Sequence, residues 1–132
     1  KGYKSDLTRV FFLGKMEVLI KRAYATVLKA RQEALKIVSP GIPIRDIDKA
    51  GRACIAKEGL GPFFIHSIGH GVGLDVHEQP RVWGNAEGIL EPGMVFTVEP
   101  GIYLPGKFGI RIEDMVLVTK RGYEVISGAL NQ

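Results

Sequence analysis

Apolar positions recur at three- and four-residue steps from Met16 through Leu19, Ile20, Ala23, Val27, Ala30 and Ala34 to Ile37. No glycine or proline interrupts that run, so the pattern predicts an amphipathic helix over 15–38. The stretch SPGIP, Ser39 to Pro43, ends it. A second helix is predicted from Ile44 to Glu58, with Ile47, Ala50, Cys54 and Ile55 as its apolar stripe. Asp46 and Asp48 lie near its start, where the helix dipole favours anions, and Gly59 suits its C-terminal cap. Ahead of both helices, YKSDLTRVFFL (3–13) alternates polar and apolar and then turns apolar, which predicts a strand closed by Gly14.

Beyond Gly59 the texture changes. Eleven of the 17 glycines fall between Gly59 and Gly109. Three β-type runs follow: Met94 to Leu104, Gly109 to Thr119 and Gly122 to Ser127, with Lys120 to Gly122 as a hairpin turn. A strand, two helices and then antiparallel strands make an α+β fold with helices on one face of a sheet. There is no internal repeat and no linker, so residues 1–132 read as a single domain.

Composition narrows the function classes. Hydrophobic residues make up 45% and charged residues 24%, as in ordinary globular proteins. No apolar run approaches the roughly 18 residues of a membrane span, and the N-terminal KGYKSD has no signal-type apolar core. One cysteine, Cys54, excludes an internal disulfide and suits a buried hydrophobe in a reducing, cytoplasmic setting. The net charge of +4 raises the question of nucleic acid. The cations, however, are spread along the first helix (Lys15, Lys21, Arg22, Lys29, Arg31, Lys36) as a solvated face would place them, so neither nucleic acid nor membrane is expected as a partner.

The candidate chemistry lies in HSIGHGVGLDVHEQP, His66 to Pro80, which holds all three histidines. His66, His70 and His77 would share a helix face, but Gly69, Gly71 and Gly73 sit among them. Each would cost a helix about 1 kcal/mol. Extended or looped backbone approaching something closely is the better expectation, with the glycines letting it pass near metals and peptide. The GxGxG pattern lacks the strand-to-helix passage of a dinucleotide site.

Glu99 in VFTVEPG and Glu113 in IRIEDM each stand inside an apolar β-type run, and Asp6 stands in the first predicted strand. A buried acid is costly unless it is paired or binds a cation. Three such acids and a glycine-flanked imidazole suit Mn²⁺, Co²⁺, Fe²⁺ or Zn²⁺ better than a thiolate site does. Two bridged divalent ions would activate a water and polarise a carbonyl.

In order along the chain, SDLTRVFFLGK, HSIGHGVGLDVHEQP, TVEPGIYLPG and GIRIED resemble the metal-dependent aminopeptidases of the pita-bread fold. VEPGIYLPGKFGIRIED resembles the Xaa-Pro branch, prolidase and aminopeptidase P, rather than methionine aminopeptidase. The resemblance implies a curved antiparallel sheet with helices on its outer face. It also implies two divalent ions, Mn²⁺ or Co²⁺ foremost, held by two aspartates, one histidine and two glutamates. By position, Asp6 and Glu113 would bridge both ions, and His70 and Glu99 would each serve one. Glu99 would also shuttle the proton of the attacking water, and His77 would stabilise the tetrahedral intermediate or contact the substrate carbonyl. His66 would line the pocket after the scissile bond, with Tyr103 and Arg111 as a supporting pair near substrate. Trp83 reads equally as a half-exposed loop aromatic or as a wall of the entrance.

The family's other metal aspartate lies further upstream of Asp6 than the five residues this chain carries there. The chain therefore reads as a C-terminal portion of a catalytic domain, holding at most one ion and inactive by itself. A sheet missing its other half would leave apolar surface bare, so a homodimer or other self-association is expected. The reading for the parent protein is an exopeptidase acting on proline-containing di- or oligopeptides. The alternative is a non-catalytic peptide- or protein-binding relative, which would have lost metal ligands; Asp6, His70, Glu99 and Glu113 are all present.

Overall fold

The computed structural model describes residues 1–128; the last four residues of the expected 1–132 domain lie outside them. Helix α1 spans Val18–Lys36 and α2 spans Ile44–Lys57. Helix α1 starts three residues later than its periodicity suggested, and Met16 stays outside it. Ala23, Val27, Ala30 and Ala34 are fully buried, and Ile47 and Ile55 meet them from α2. Small residues along α1 let the helices approach closely. Gly59 adopts φ +73° and donates to the Ala56 carbonyl, closing α2 as expected.

Seven strands follow: β1 (Gly69–Gly71), β2 (Glu78–Val82), β3 (Val95–Val98), β4 (Gly101–Leu104), β5 (Phe108–Arg111), β6 (Asp114–Thr119) and β7 (Gly122–Val125). Five form an antiparallel sheet in the order β2-β1-β3-β6-β7, and β4-β5 form a separate hairpin. The turn at Lys120 and Arg121 joins β6 to β7, with Thr119 opposite Gly122, as the sequence suggested. Phe96 and Val98 of β3, with Val116 and Val118 of β6, enter one core with the helices. Strand alternation turns Thr97 to the opposite face, where the candidate site lies.

Two expected strands are each broken in two. Val98 pairs with Asp114 in the large sheet and Gly101 pairs with Arg111 in the hairpin. Between these pairs the chain crosses from one sheet to the other at Glu99-Pro100 and at Ile112-Glu113. Proline offers no ladder donor, so the strand stops there. Both candidate glutamates thus sit at one seam.

The expected strand over 3–13 does not form. Among the described residues its backbone meets the rest of the fold at an isolated bridge between Thr8 and Glu113 and where the Lys4 N–H donates to the Gly73 carbonyl. Side chains hold this segment instead. Arg9 donates to the fully buried Asp114 at 2.7 Å and to the Thr8 and Glu113 carbonyls. Asp114 also pairs with Arg31 and accepts from the Ser127 hydroxyl. Arg31 therefore turns inward rather than joining a solvated face. Phe12 packs edge-on against Tyr24, whereas Phe11 and Leu13 face solvent.

Candidate metal centre and cleft

Asp6, His70 and Glu113 each offer a ligand atom, and the three lie within 4.8 Å of one another. Oε1 of Glu99 stands 3.2 Å from Nε2 of His70, and Oδ2 of Asp6 stands 3.7 Å from it. Four groups from an irregular segment, β1 and the two crossing points thus converge.

His70 occupies the middle of β1. A Cβ on Gly69 would overlap the Thr97 carbonyl, and one on Gly71 would overlap the Gln79 carbonyl. Gly69 and Gly71 are therefore required by the close approach of the neighbouring strands β3 and β2. That packing holds the imidazole between them. Nδ1 of His70 faces the Gly71 carbonyl at 3.0 Å, and a carbonyl only accepts, so Nδ1 carries the proton. The Nε2 lone pair is left for a metal ion, oriented as such ligands usually are.

Two threonines hold the glutamates, and nothing in the sequence pattern singled them out. The buried Thr97 hydroxyl donates to Oε1 of Glu99 at 3.1 Å and accepts from the His70 backbone N–H at 3.1 Å. The Thr8 hydroxyl donates to Oε2 of Glu113 at 2.5 Å and accepts from Nε of Arg111 at 3.2 Å. Burial pushes both glutamate carboxyls above their ordinary range, against the pull of these hydroxyls. Two buried acids and Asp6 around an imidazole lone pair are short of positive charge, which a divalent cation would supply. The donor set fits such an ion.

A cleft of about 800 Å³ opens beside these groups, lined by His66, His70, His77, Glu99 and Arg111 among others. His77 is exposed, and its ring lies against that of His70 with centroids 4.2 Å apart. His66 donates through Nδ1 to the Ser67 carbonyl at 2.8 Å, so Nε2 accepts from the Tyr103 hydroxyl at 2.9 Å. Burial holds His66 below the ordinary histidine range and hence neutral at pH 7. Tyr103 stands behind His66 and outside the cleft lining; burial raises its hydroxyl, against the nearby Arg111 charge.

The segment carrying His66 is clamped from α2. Asp48, which the sequence reading assigned only to the helix dipole, is buried and bidentate with Arg52 at 2.9 Å twice. It also accepts from the Ile68 N–H at 3.0 Å. Arg52 donates to the Phe64 and His66 carbonyls at 2.9 Å each and stacks 4.2 Å from the Phe64 ring. An i, i+4 acid–base pair on a helix gives no hint in sequence that both partners turn inward.

Residues 1–120 match metallopeptidase family M24. The chain belongs to that family. It is 48% identical over 120 residues to a Xaa-Pro dipeptidase of Pyrococcus horikoshii, covering 91% of this chain and 34% of that protein. Its structure matches a prolidase from Pyrococcus furiosus at 42% identity with a TM-score of 0.93, over 96% of this chain and 37% of that one. It matches a Xaa-Pro dipeptidase from Bacillus anthracis at 42% identity and a TM-score of 0.95, over 99% and 37%. The fold is therefore the pita-bread fold, and the M24 member resembles the Xaa-Pro branch as VEPGIYLPGKFGIRIED suggested. The chain spans about a third of the length of these relatives. No helix among the described residues is long and apolar enough to cross a membrane.

Proposed function

We propose that residues 1–132 form part of the catalytic domain of a metal-dependent exopeptidase that hydrolyses the Xaa-Pro bond at the N-terminus of dipeptides or short peptides. The convergence of Asp6, His70, Glu99 and Glu113 carries this reading. Those four side chains would hold the ion, with Mn²⁺ or Co²⁺ the best match to one imidazole and several carboxylates, and Zn²⁺ or Fe²⁺ next. When bound, the ion supplies a water acidic enough to ionise near neutral pH and an electrophile for the carbonyl.

The remaining work belongs to the chain. Glu99, raised by burial, is suited to take the proton of the attacking water and pass it to the departing amine. His77, exposed on the cleft beside His70, would donate to the oxyanion. His66, neutral and fixed by Tyr103, offers a flat wall to the residue after the scissile bond, and Arg111 holds the Thr8 hydroxyl on Glu113. The reaction belongs to the cytoplasm in this reading, with the chain self-associating.

Calorimetric titration of Mn²⁺ into metal-stripped chain tests this. One ion per chain, lost in Glu113→Gln, is expected. No binding at all, with proline peptides still held, would favour the non-catalytic peptide-binding alternative. Because the family's remaining aspartate is not among these residues, the chain alone is expected to release no proline from an alanyl-proline dipeptide.

A further inference from the structure

Asp6 is the least sheltered of the four candidate ligands. Its side chain is 28% exposed, against 13% for His70 and 11% for Glu99. The other three stand in β1 or at a sheet crossing, whereas Asp6 stands on the irregular segment before α1. Its carboxylate reaches the same point as His70 and Glu113 only if its backbone is fixed.

A sulfur atom does that fixing. The Asp6 N–H donates to Sδ of Met115 at 3.2 Å. A thioether is a weak acceptor, so the worth of the contact depends on how firmly the sulfur is held. Met115 is buried in β6. Its N–H donates to the Ser127 hydroxyl at 2.9 Å, and its carbonyl accepts from the Ile126 N–H at 3.0 Å. Across the sheet it pairs with Thr97, and cross-strand partners share a face. The sulfur therefore projects on the side of the hydroxyl that holds Glu99. The preceding residue, Asp114, projects to the other face and holds Arg9 there. Two consecutive residues of β6 thus grip the ligand segment, one at Asp6 and one at Arg9.

The chemistry of the position favours sulfur. Three acids already share this face, and a carboxylate at 115 would add a fourth charge. An aliphatic side chain would leave the part-buried Asp6 N–H without its acceptor. A thioether accepts the hydrogen bond, carries no charge and packs as an apolar group.

We propose that Met115 is a positioning residue of the metal centre, its sulfur fixing the Asp6 backbone so that the carboxylate meets His70 and Glu113. The inference rests on the metal reading above, in which Met115 itself supplies no ligand.

Packing alone is the competing account, and two substitutions separate them. Met115→Leu keeps the apolar volume and removes the acceptor. Met115→Gln keeps the chain length and offers an amide oxygen, at the expense of apolar character. Packing favours leucine over glutamine; positioning favours the reverse. Without metal, the leucine variant is expected to melt with the unsubstituted chain and the glutamine variant below it. By calorimetry, Mn²⁺ affinity is expected to fall about tenfold in the leucine variant, the low end for groups that orient ligands, and to return to within about twofold in the glutamine variant. Amide hydrogen exchange in the metal-free chain reads the contact itself. The Asp6 amide is expected to exchange slowly in the unsubstituted and glutamine chains and rapidly in the leucine chain.

A leucine variant that binds Mn²⁺ as tightly as the unsubstituted chain, or a folded glutamine variant that binds no better than leucine, would overturn the proposal and leave the metal reading standing. Should the glutamine variant not fold, the leucine affinity and the Asp6 exchange decide. A chain that binds no Mn²⁺ sinks the peptidase reading instead. The exchange then still decides the contact: protection lost in the leucine variant upholds the sulfur as the anchor of Asp6, and equal exchange overturns it.

Discussion

At the scale of single residues, the candidate centre is governed by hydroxyls as much as by acids. Thr97 ties Glu99 to the His70 backbone through one oxygen. Valine keeps its shape and loses both bonds; serine keeps both. Groups that orient ligands typically contribute 10–100-fold to metal affinity. Thr97→Val is therefore expected to weaken Mn²⁺ binding by about tenfold or more, with Thr97→Ser restoring it. Titration calorimetry beside thermal melting separates this from a packing defect, which would lower the melting temperature and leave the affinity alone. The buried glutamates make a second prediction. Their carboxyls are raised, so their contribution favours the metal-free fold below the ordinary glutamate value of about 4.3 and is lost as pH rises through the folded value. His66, held low, acts oppositely, with stability lost as pH falls below its unfolded value, but it cancels in a comparison of variants. Glu113→Gln removes one buried charge. Without metal, its melting temperature is expected to exceed that of the unsubstituted chain at pH 8 and to converge with it at acid pH. Saturating Mn²⁺ should reverse the order at pH 8.

At the scale of elements, the helices were legible because each buries one stripe against the other and periodicity reports a stripe directly. The β region was legible only as apolar runs. Met94 to Leu104 reads as one strand until Pro100 is given its weight as a residue without a ladder donor, and then Glu99 falls at a sheet crossing. The 3–13 segment shows the converse. Its residues favour a strand, but its position is set by Arg9 on Asp114, a long-range pair that no local pattern encodes. Glu99 and Glu113 were conspicuous as acids inside apolar runs and His70 as a glycine-flanked imidazole, and the family resemblance joined Asp6 to them as a set; Thr8, Thr97 and the Asp48–Arg52 clamp were not legible, since their residue types are common and their partners distant. The tightest element contact is testable. Gly69→Ala would drive a methyl into the Thr97 backbone carbonyl, which cannot rotate away. A loss of roughly 1–3 kcal/mol or more is expected, read by urea unfolding. An equally stable Gly69→Ala chain would show that β1 and β3 are not packed as closely as described.

At the scale of the molecule, the surface does not look finished around its N-terminal segment. Phe11, Leu13 and Val18 are 83%, 100% and 85% exposed, within eight residues of one another. Each large apolar side chain left in water forgoes about 1.5–3 kcal/mol that burial would return. The stretch joins the segment anchored by Arg9 on Asp114 and Thr8 on Glu113 to α1. Covering it needs another surface, and in a solution of this chain alone the surface available is a second copy. Sedimentation velocity is expected to show a species heavier than one chain, growing with concentration. The double substitution Phe11→Asp and Leu13→Asp should return it to a monomer. Because neither side chain is among the candidate metal ligands, that variant is expected to bind Mn²⁺ as the unsubstituted chain does. A sharp monomer boundary for the unsubstituted chain would mean these apolar side chains are tolerated in water. A variant that becomes monomeric but loses the ion would mean that the partner copy supports the centre and that the metal site and the association are one structure.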